Sequence, residues 1–123
     1  MSDEEFEKLV AAGLDAIPEE YAKHIENVAI VFADDPTMEQ KRLLNLRPHS
    51  LLFGLYEGVP KIKRNYASIT LPDKITIFKF PIIQAVGLDH GRIKDQVART
   101  VLHEIEHHFG FDDPEIRSFE AKR

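Results

Sequence analysis

His103, Glu104 and His107 stand in the stretch TVLHEIEHHFGFDD, residues 100–113, with the spacing H-E-x-x-H. On an α-helix, at about 100° per residue, His103 and His107 lie about 40° apart and one turn along the axis. Two imidazoles so placed can reach one ion at the ~2.0–2.1 Å that zinc prefers. Glu104 is rotated by about 100° from His103, so its carboxylate can flank a water beside the ion instead of ligating the ion. That is the position of a general base, and the chemistry it suits is hydrolysis by metal-activated water.

A catalytic zinc needs a third protein ligand and one open position. Gly110 follows His107 by three residues and Asp113 follows Gly110 by three. A chain reversal at Gly110 swings Asp113 back towards the ion, giving H-E-x-x-H-x-x-G-x-x-D. This is the metzincin spacing with aspartate in place of the third histidine, and a carboxylate oxygen is an acceptable zinc ligand. Asp113 has a second reading, because Asp before Pro114 is also a helix N-cap with proline at the first helical position. Asp112 can take that capping role and leave Asp113 to the metal.

H-E-x-x-H fixes only three positions, and on a solvated helix face it is no more than two exposed histidines and an acid. Support for a metal site comes from a helix of the right polarity, a histidine pair lying off its apolar stripe, and the spacing of Gly110 and Asp113. The same angular count points His108 into the apolar stripe as a packed histidine. Glu106 flanks the pair on the side opposite Glu104. Angle alone does not separate the two acids; motif position favours Glu104 and leaves Glu106 in solvent. His24, His49 and His90 are isolated, and of these His90, beside Asp89, is the one candidate pocket residue.

The helix that must carry this row is the longest helical pattern in the chain. Ile93, Val97, Ala98, Val101, Leu102, Ile105 and Phe109 form one apolar stripe over residues 91–109, and Gly110 is a natural stop. An N-terminal helix, capped by Ser2 or Asp3, carries Phe6, Leu9, Val10, Leu14 and Ile17 at helical spacing. A second short stripe follows Pro18. Residues 28–33 (VAIVFA) are apolar on both faces and predict a central buried strand. A polar stretch follows, with helical turns near residues 38–44. Residues 51–57 predict a strand with Gly54 as a bulge, residues 61–66 a short edge strand, and residues 75–80 (ITIFKF) a strand ended by Pro81. Residues 82–89 read equally as loop or short helix, and a last short helix starts at Asp112 or Asp113. The order predicts an α+β domain with helices packed on a small, partly antiparallel sheet.

The net charge is −5 and the isoelectric point about 5.6. An acidic surface argues against nucleic-acid or anionic-membrane binding, so Lys61, Lys63 and Arg64 read as a solvated cluster. The absence of cysteine excludes disulfides, thiolate metal sites and a Cys nucleophile. The acidic, amphipathic N-terminus is unlike a signal peptide, and no apolar run approaches the ~18 residues of a membrane span. The expected location is the cytoplasm.

The chain resembles the small bacterial zincin-like metallopeptidases, sometimes described as minimal metalloproteases. The resemblance lies in LLFGLYEGVP (residues 51–60), LPDKITIFKFPI (residues 71–82) and TVLHEIEHHFGFDD (residues 100–113). Together with the N-terminal helix it covers most of the chain, and the last motif is the most specific. It implies a single zincin-like domain over residues 1–123, zinc on His103 and His107 with Asp113 as third ligand, and Glu104 as catalytic base. One departure from metzincins is plain. They place a methionine turn beneath the zinc, whereas the methionines here are Met1 and Met38. The floor of the site must be built differently, and the usual downstream tyrosine-type oxyanion helper is missing.

The expected function is that of a zinc-dependent peptidase acting on a peptide or protein substrate. The last strand before the metal helix, residues 75–80, offers an edge for an extended substrate. Two rivals stand beside it. One is a non-catalytic interaction module in which zinc staples a small core, which needs a fourth protein ligand. The other is a metal-dependent nuclease or other hydrolase, which the acidic balance disfavours.

Overall fold

The computed structural model describes residues 1–47, 50–58 and 72–109. Helix α1 (Asp3–Asp15) opens at Ser2, whose side chain accepts from the Glu5 N–H at 3.1 Å. Asp3, Glu4 and Glu5 fill the first turn, where the helix dipole favours negative charge. Its buried stripe is Phe6, Leu9, Val10 and Gly13. A short helix α2 (Glu19–Ala22), with Pro18 at its N-cap, runs into a 3₁₀ turn (Lys23–Ile25) and leads to strand β1 (Val28–Ala33).

Helix α3 (Met38–Leu43) begins with a complete capping box. The Gln40 N–H donates to Thr37 Oγ1 at 3.0 Å, and the Thr37 N–H donates to Gln40 Oε1 at 2.9 Å. Strand β2 (Gly54–Glu57) and strand β3 (Asp73–Phe78) join β1 in a sheet whose order, among the described residues, is β1-β3-β2. The pairing of β1 with β3 is parallel, Val28 opposite Asp73 through Ala33 opposite Phe78. The pairing of β2 with β3 is antiparallel, Gly54 opposite Ile77 and Tyr56 opposite Ile75.

Two sequence expectations are corrected here. Strand β1 is half-buried and flanks the sheet, while β3 is central, with Ile75, Thr76, Ile77 and Phe78 all buried. A strand paired on both sides has no free ladder hydrogen bonds to offer a substrate, so the expected substrate edge does not lie on β3. Among the described residues, β2 is the strand beside the long C-terminal helix with one sheet neighbour.

The strand ends at Phe78, and the chain turns directly into helix α4 (Lys79–Val86), so Pro81 lies inside a first helical turn, where its missing N–H costs nothing. This settles residues 82–86 as helix. Gly87 closes α4 at φ 80°, a conformation a side chain would strain, and its N–H donates to Ile83 O at 2.8 Å. Lys79 is buried, and its Nζ donates to Asp3 Oδ1 at 3.0 Å, linking the start of α4 to the start of α1.

Helix α5 (His90–Phe109) is the spine of the fold. Asp89 starts it, its Oδ1 accepting from the Arg92 N–H at 2.9 Å. Ile93, Val97, Ala98, Val101, Leu102 and Ile105 are buried together with Phe6, Leu9 and Val10 of α1, Ile75 and Ile77 of β3, and Ile82 of α4. The architecture is the expected mixed α+β arrangement, with an N-terminal helix and a long helix packed on a small sheet that has three strands among the described residues. The cluster Lys61, Lys63 and Arg64, the strand expected over residues 61–66, and the last helix with Gly110, Asp112 and Asp113 all lie outside the described residues.

Candidate active site

The apolar stripe of α5 decides where its polar side chains go. With Leu102 and Ile105 fully buried, His103 and His107 are left on the outer face, and both are exposed. Their ring centroids are 4.2 Å apart with the planes tilted by 43°, so the two imidazoles lie side by side one turn apart on the helix. Neither ring takes part in a hydrogen bond among the described residues, which leaves their nitrogens available as ligands.

Glu104 occupies a different setting. It is half-buried, and its Oε2 accepts from the backbone N–H of Tyr56 on β2 at 3.3 Å. Burial pushes its carboxyl above the ordinary range. The Tyr56 N–H, and then the charges of His103 and His107, pull it part of the way back. A raised carboxyl is the direction a general base needs to work near neutral pH.

The contact depends on Gly54. A Cβ built at Gly54 would sit 2.5 Å from Thr100 Cγ2 and 3.2 Å from the Thr76 carbonyl oxygen. The bare backbone therefore lets β2 approach α5 at Thr100, one turn before Glu104. Gly54 begins the strand; it is the place where helix and strand meet, and not the expected bulge.

Tyr56 is held in turn. Its hydroxyl donates to Asp73 Oδ2 at 2.7 Å, and its ring stacks on His108 with centroids 3.8 Å apart and planes 16° from parallel. Burial, the hydrogen bond to Asp73 and the charge of Asp73 push the Tyr56 phenol up to about 12. His108 is thus exposed and stacked on β2 instead of packed into the core, because the last turn of α5 runs past the core layer. Glu106, expected in solvent, is half-buried. His90 starts α5 as an exposed residue and is not among those lining the cleft beside His103 and Glu104.

A cleft of about 430 Å³ lies against this face, lined by Leu51, Leu52, Phe53, Gly54, Gln96, Arg99, Thr100, His103 and Glu104. Sequence reasoning missed most of its walls. Arg99 precedes His103 by the same four residues that separate the two histidines, so extending that row by one turn would have found it. Nothing in the sequence placed residues 51–53 opposite it.

Two exposed imidazoles one turn apart are a donor set that fits zinc, a borderline ion that accepts nitrogen and carboxylate oxygen together. Among the described residues no group of three His, Cys, Asp or Glu side chains converges to hold an ion. Glu104, turned to Tyr56, is therefore not a third ligand in this arrangement. Asp113, the expected third ligand, lies outside the described residues.

A helix-borne H-E-x-x-H row packed on a small mixed sheet defines a zincin-type protein. The chain belongs to the zincin-like metallopeptidase family, whose model matches residues 25–122. That family implies a metal cofactor, typically zinc, and peptide substrates in general. No curated protein matches the sequence. No described helix is long and apolar enough to cross a membrane.

Proposed function

We propose that this protein is a zinc-dependent peptidase in which His103, His107 and Asp113 hold the metal and Glu104 is the general base. The observation that carries this reading is the division of labour on α5. The two histidines stand free on one row, and the carboxylate between them is drawn aside to the Tyr56 N–H at 3.3 Å. When bound, zinc supplies a Lewis acid that polarises the scissile carbonyl and makes water more acidic. Glu104 takes the proton from the attacking water on its carboxylate and passes it to the departing amine nitrogen. The Tyr56 N–H orients that carboxylate and steadies its charged form, while half-burial keeps it basic enough to accept the proton. Leu51, Leu52 and Phe53 give the cleft an apolar wall suited to peptide side chains. The acidic, cysteine-free composition suits a reducing cytoplasm.

The deciding experiment is cleavage of an unfolded protein such as casein by the wild type and by Glu104→Gln at equal zinc loading. Turnover by the wild type that falls by at least ~10²-fold in the variant supports the reading. Equal cleavage by both rejects Glu104 as the base.

A further inference from the structure

Arg99 stands one turn before His103 on α5, and His103 one turn before His107, so the three form a single row along the helix. The Nε and Nη2 atoms of Arg99 are buried with no hydrogen-bond partner, and no carboxylate among the described residues pairs with it. It lines the same cleft as His103 and Glu104. The neighbouring polar groups are already committed. Gln96 Nε2 donates to Thr100 Oγ1 at 3.1 Å, and Glu104 accepts from the Tyr56 N–H.

A guanidinium keeps its charge throughout the physiological range and presents its donors in a planar fork that matches a carboxylate. Buried donors without acceptors are unfavourable, and the same enclosure strengthens any charge-assisted bond that satisfies them. The cleft thus has a cation in its wall beside Leu51, Leu52 and Phe53, and an anion reaches the two enclosed donors once the Arg99 side chain turns them into the cleft. Four residues of helix advance about 6 Å, and an extended peptide covers about 3.3–3.6 Å per residue.

We infer that Arg99 is a receptor for a substrate carboxylate two or three residues from the bond that is cut. The carboxylate is either the C-terminus of a short peptide or an Asp or Glu side chain in a longer one. The stated distance from the cut bond rests on the peptidase reading; the carboxylate site itself does not.

The test is a binding measurement on the full chain carrying Glu104→Gln and loaded with zinc, so that no probe is consumed. Three dye-labelled tetrapeptides are followed by fluorescence anisotropy: Ala-Ala-Phe-Ala with a free C-terminus, the same peptide as its C-terminal amide, and Ala-Ala-Phe-Glu as its amide. With Arg99 present, at least one acid binds at least about tenfold more tightly than the neutral amide. Preference for the free C-terminus assigns the α-carboxylate, and preference for the Glu amide assigns the side chain. Adding Arg99→Met brings all three within about twofold of one another, while its melting temperature stays level or rises, because unpaired buried donors have been removed. Equal affinities with Arg99 present, or no measurable binding of any probe, overturn the inference. So does a preference that survives Arg99→Met, or a marked fall in its melting temperature, which would make Arg99 a structural residue. The casein comparison reads the peptidase assignment separately, so either conclusion can fail while the other stands.

Discussion

The Tyr56 backbone N–H donates to Glu104 Oε2 at 3.3 Å, and this hydrogen bond ties the second strand to α5, 48 residues further along the chain. It fixes the carboxylate from the backbone, so no side-chain substitution at residue 56 removes the donor except proline. Tyr56→Phe should therefore leave turnover within severalfold of the wild type, while Tyr56→Pro should lower it together with stability. Steady-state cleavage and thermal melts of the two variants check this, and a Tyr56→Phe enzyme as inactive as Glu104→Gln would contradict it.

Zinc should stabilise the fold by mass action, by about 2.7 kcal/mol when free zinc is a hundredfold above its Kd. His103→Ala combined with His107→Ala should abolish both the bound metal and the fall in melting temperature that a chelator causes in the wild type. Elemental analysis and calorimetry with and without chelator provide the measurement. One zinc per chain surviving in the double variant would remove the metal from this helix.

Asp113 can be separated from a helix cap by two substitutions. As a ligand, Asp113→Ala should lose zinc affinity severely and Asp113→His should keep much of it. As a cap alone, Asp113→Ala should cost about 1 kcal/mol of stability and leave the zinc Kd unchanged. Competition with a chromogenic zinc chelator gives the affinities directly.

Gly54→Ala should destabilise the protein by about 1–3 kcal/mol, the usual cost of forcing a methyl group into a packed contact. The added Cβ would meet Thr100 Cγ2 at 2.5 Å. Thr100→Ser removes that methyl while keeping the hydroxyl that accepts from Gln96. Denaturant melts of a double-mutant cycle should show Thr100→Ser recovering part of the loss. Independent, additive effects would mean that the two groups do not meet.

Tyr56 should ionise late. Its phenol is pushed from 10 to about 12, chiefly by burial and then by Asp73. Between these values the folded state holds a proton that the unfolded state has released. The contribution is therefore fully present below pH 10 and lost as pH rises through about 12. An alkaline absorbance titration of the wild type should contain a late phase that Tyr56→Phe lacks. If the wild-type and Tyr56→Phe titrations differ only in amplitude near pH 10, the Asp73 contact is not formed in solution.

Much of α5 was legible because its signals are local. The stripe from Ile93 to Ile105, the row of His103 and His107 and the offset of Glu104 follow from one helical period. Of the two candidate caps, Ser2 and Asp3, the helix uses Ser2, whereas residues 82–89 read equally as loop or short helix, and only the fold shows α4 running to Gly87. The order of the strands was not legible. Residues 28–33 are apolar on both faces, which suits a central strand, yet β1 flanks the sheet, because its partner β3 lies 45 positions away and register across such a gap leaves no local mark. Gly54 looked like a bulge from its own strand, since the crowding that requires glycine comes from Thr100. Arg99 was passed over because its importance lies in what surrounds it. Two buried donors without acceptors become visible only once residues 51–53 are brought across from the other side of the cleft.

The dependence of Glu104 on β2 also orders events in time. Helix α5 can form on its own scale, within about a microsecond, and carries both histidines as soon as it does. Glu104 gains its backbone donor only when β2 has paired with β3 and met the helix, which needs a contact across 48 residues of chain and is a slower step. A nascent or partly unfolded chain can therefore gather the histidine pair before it can orient the carboxylate. On the proposed peptidase reading, the protein acquires its hydrolytic power last, when its own unfolded segments have already been withdrawn from attack.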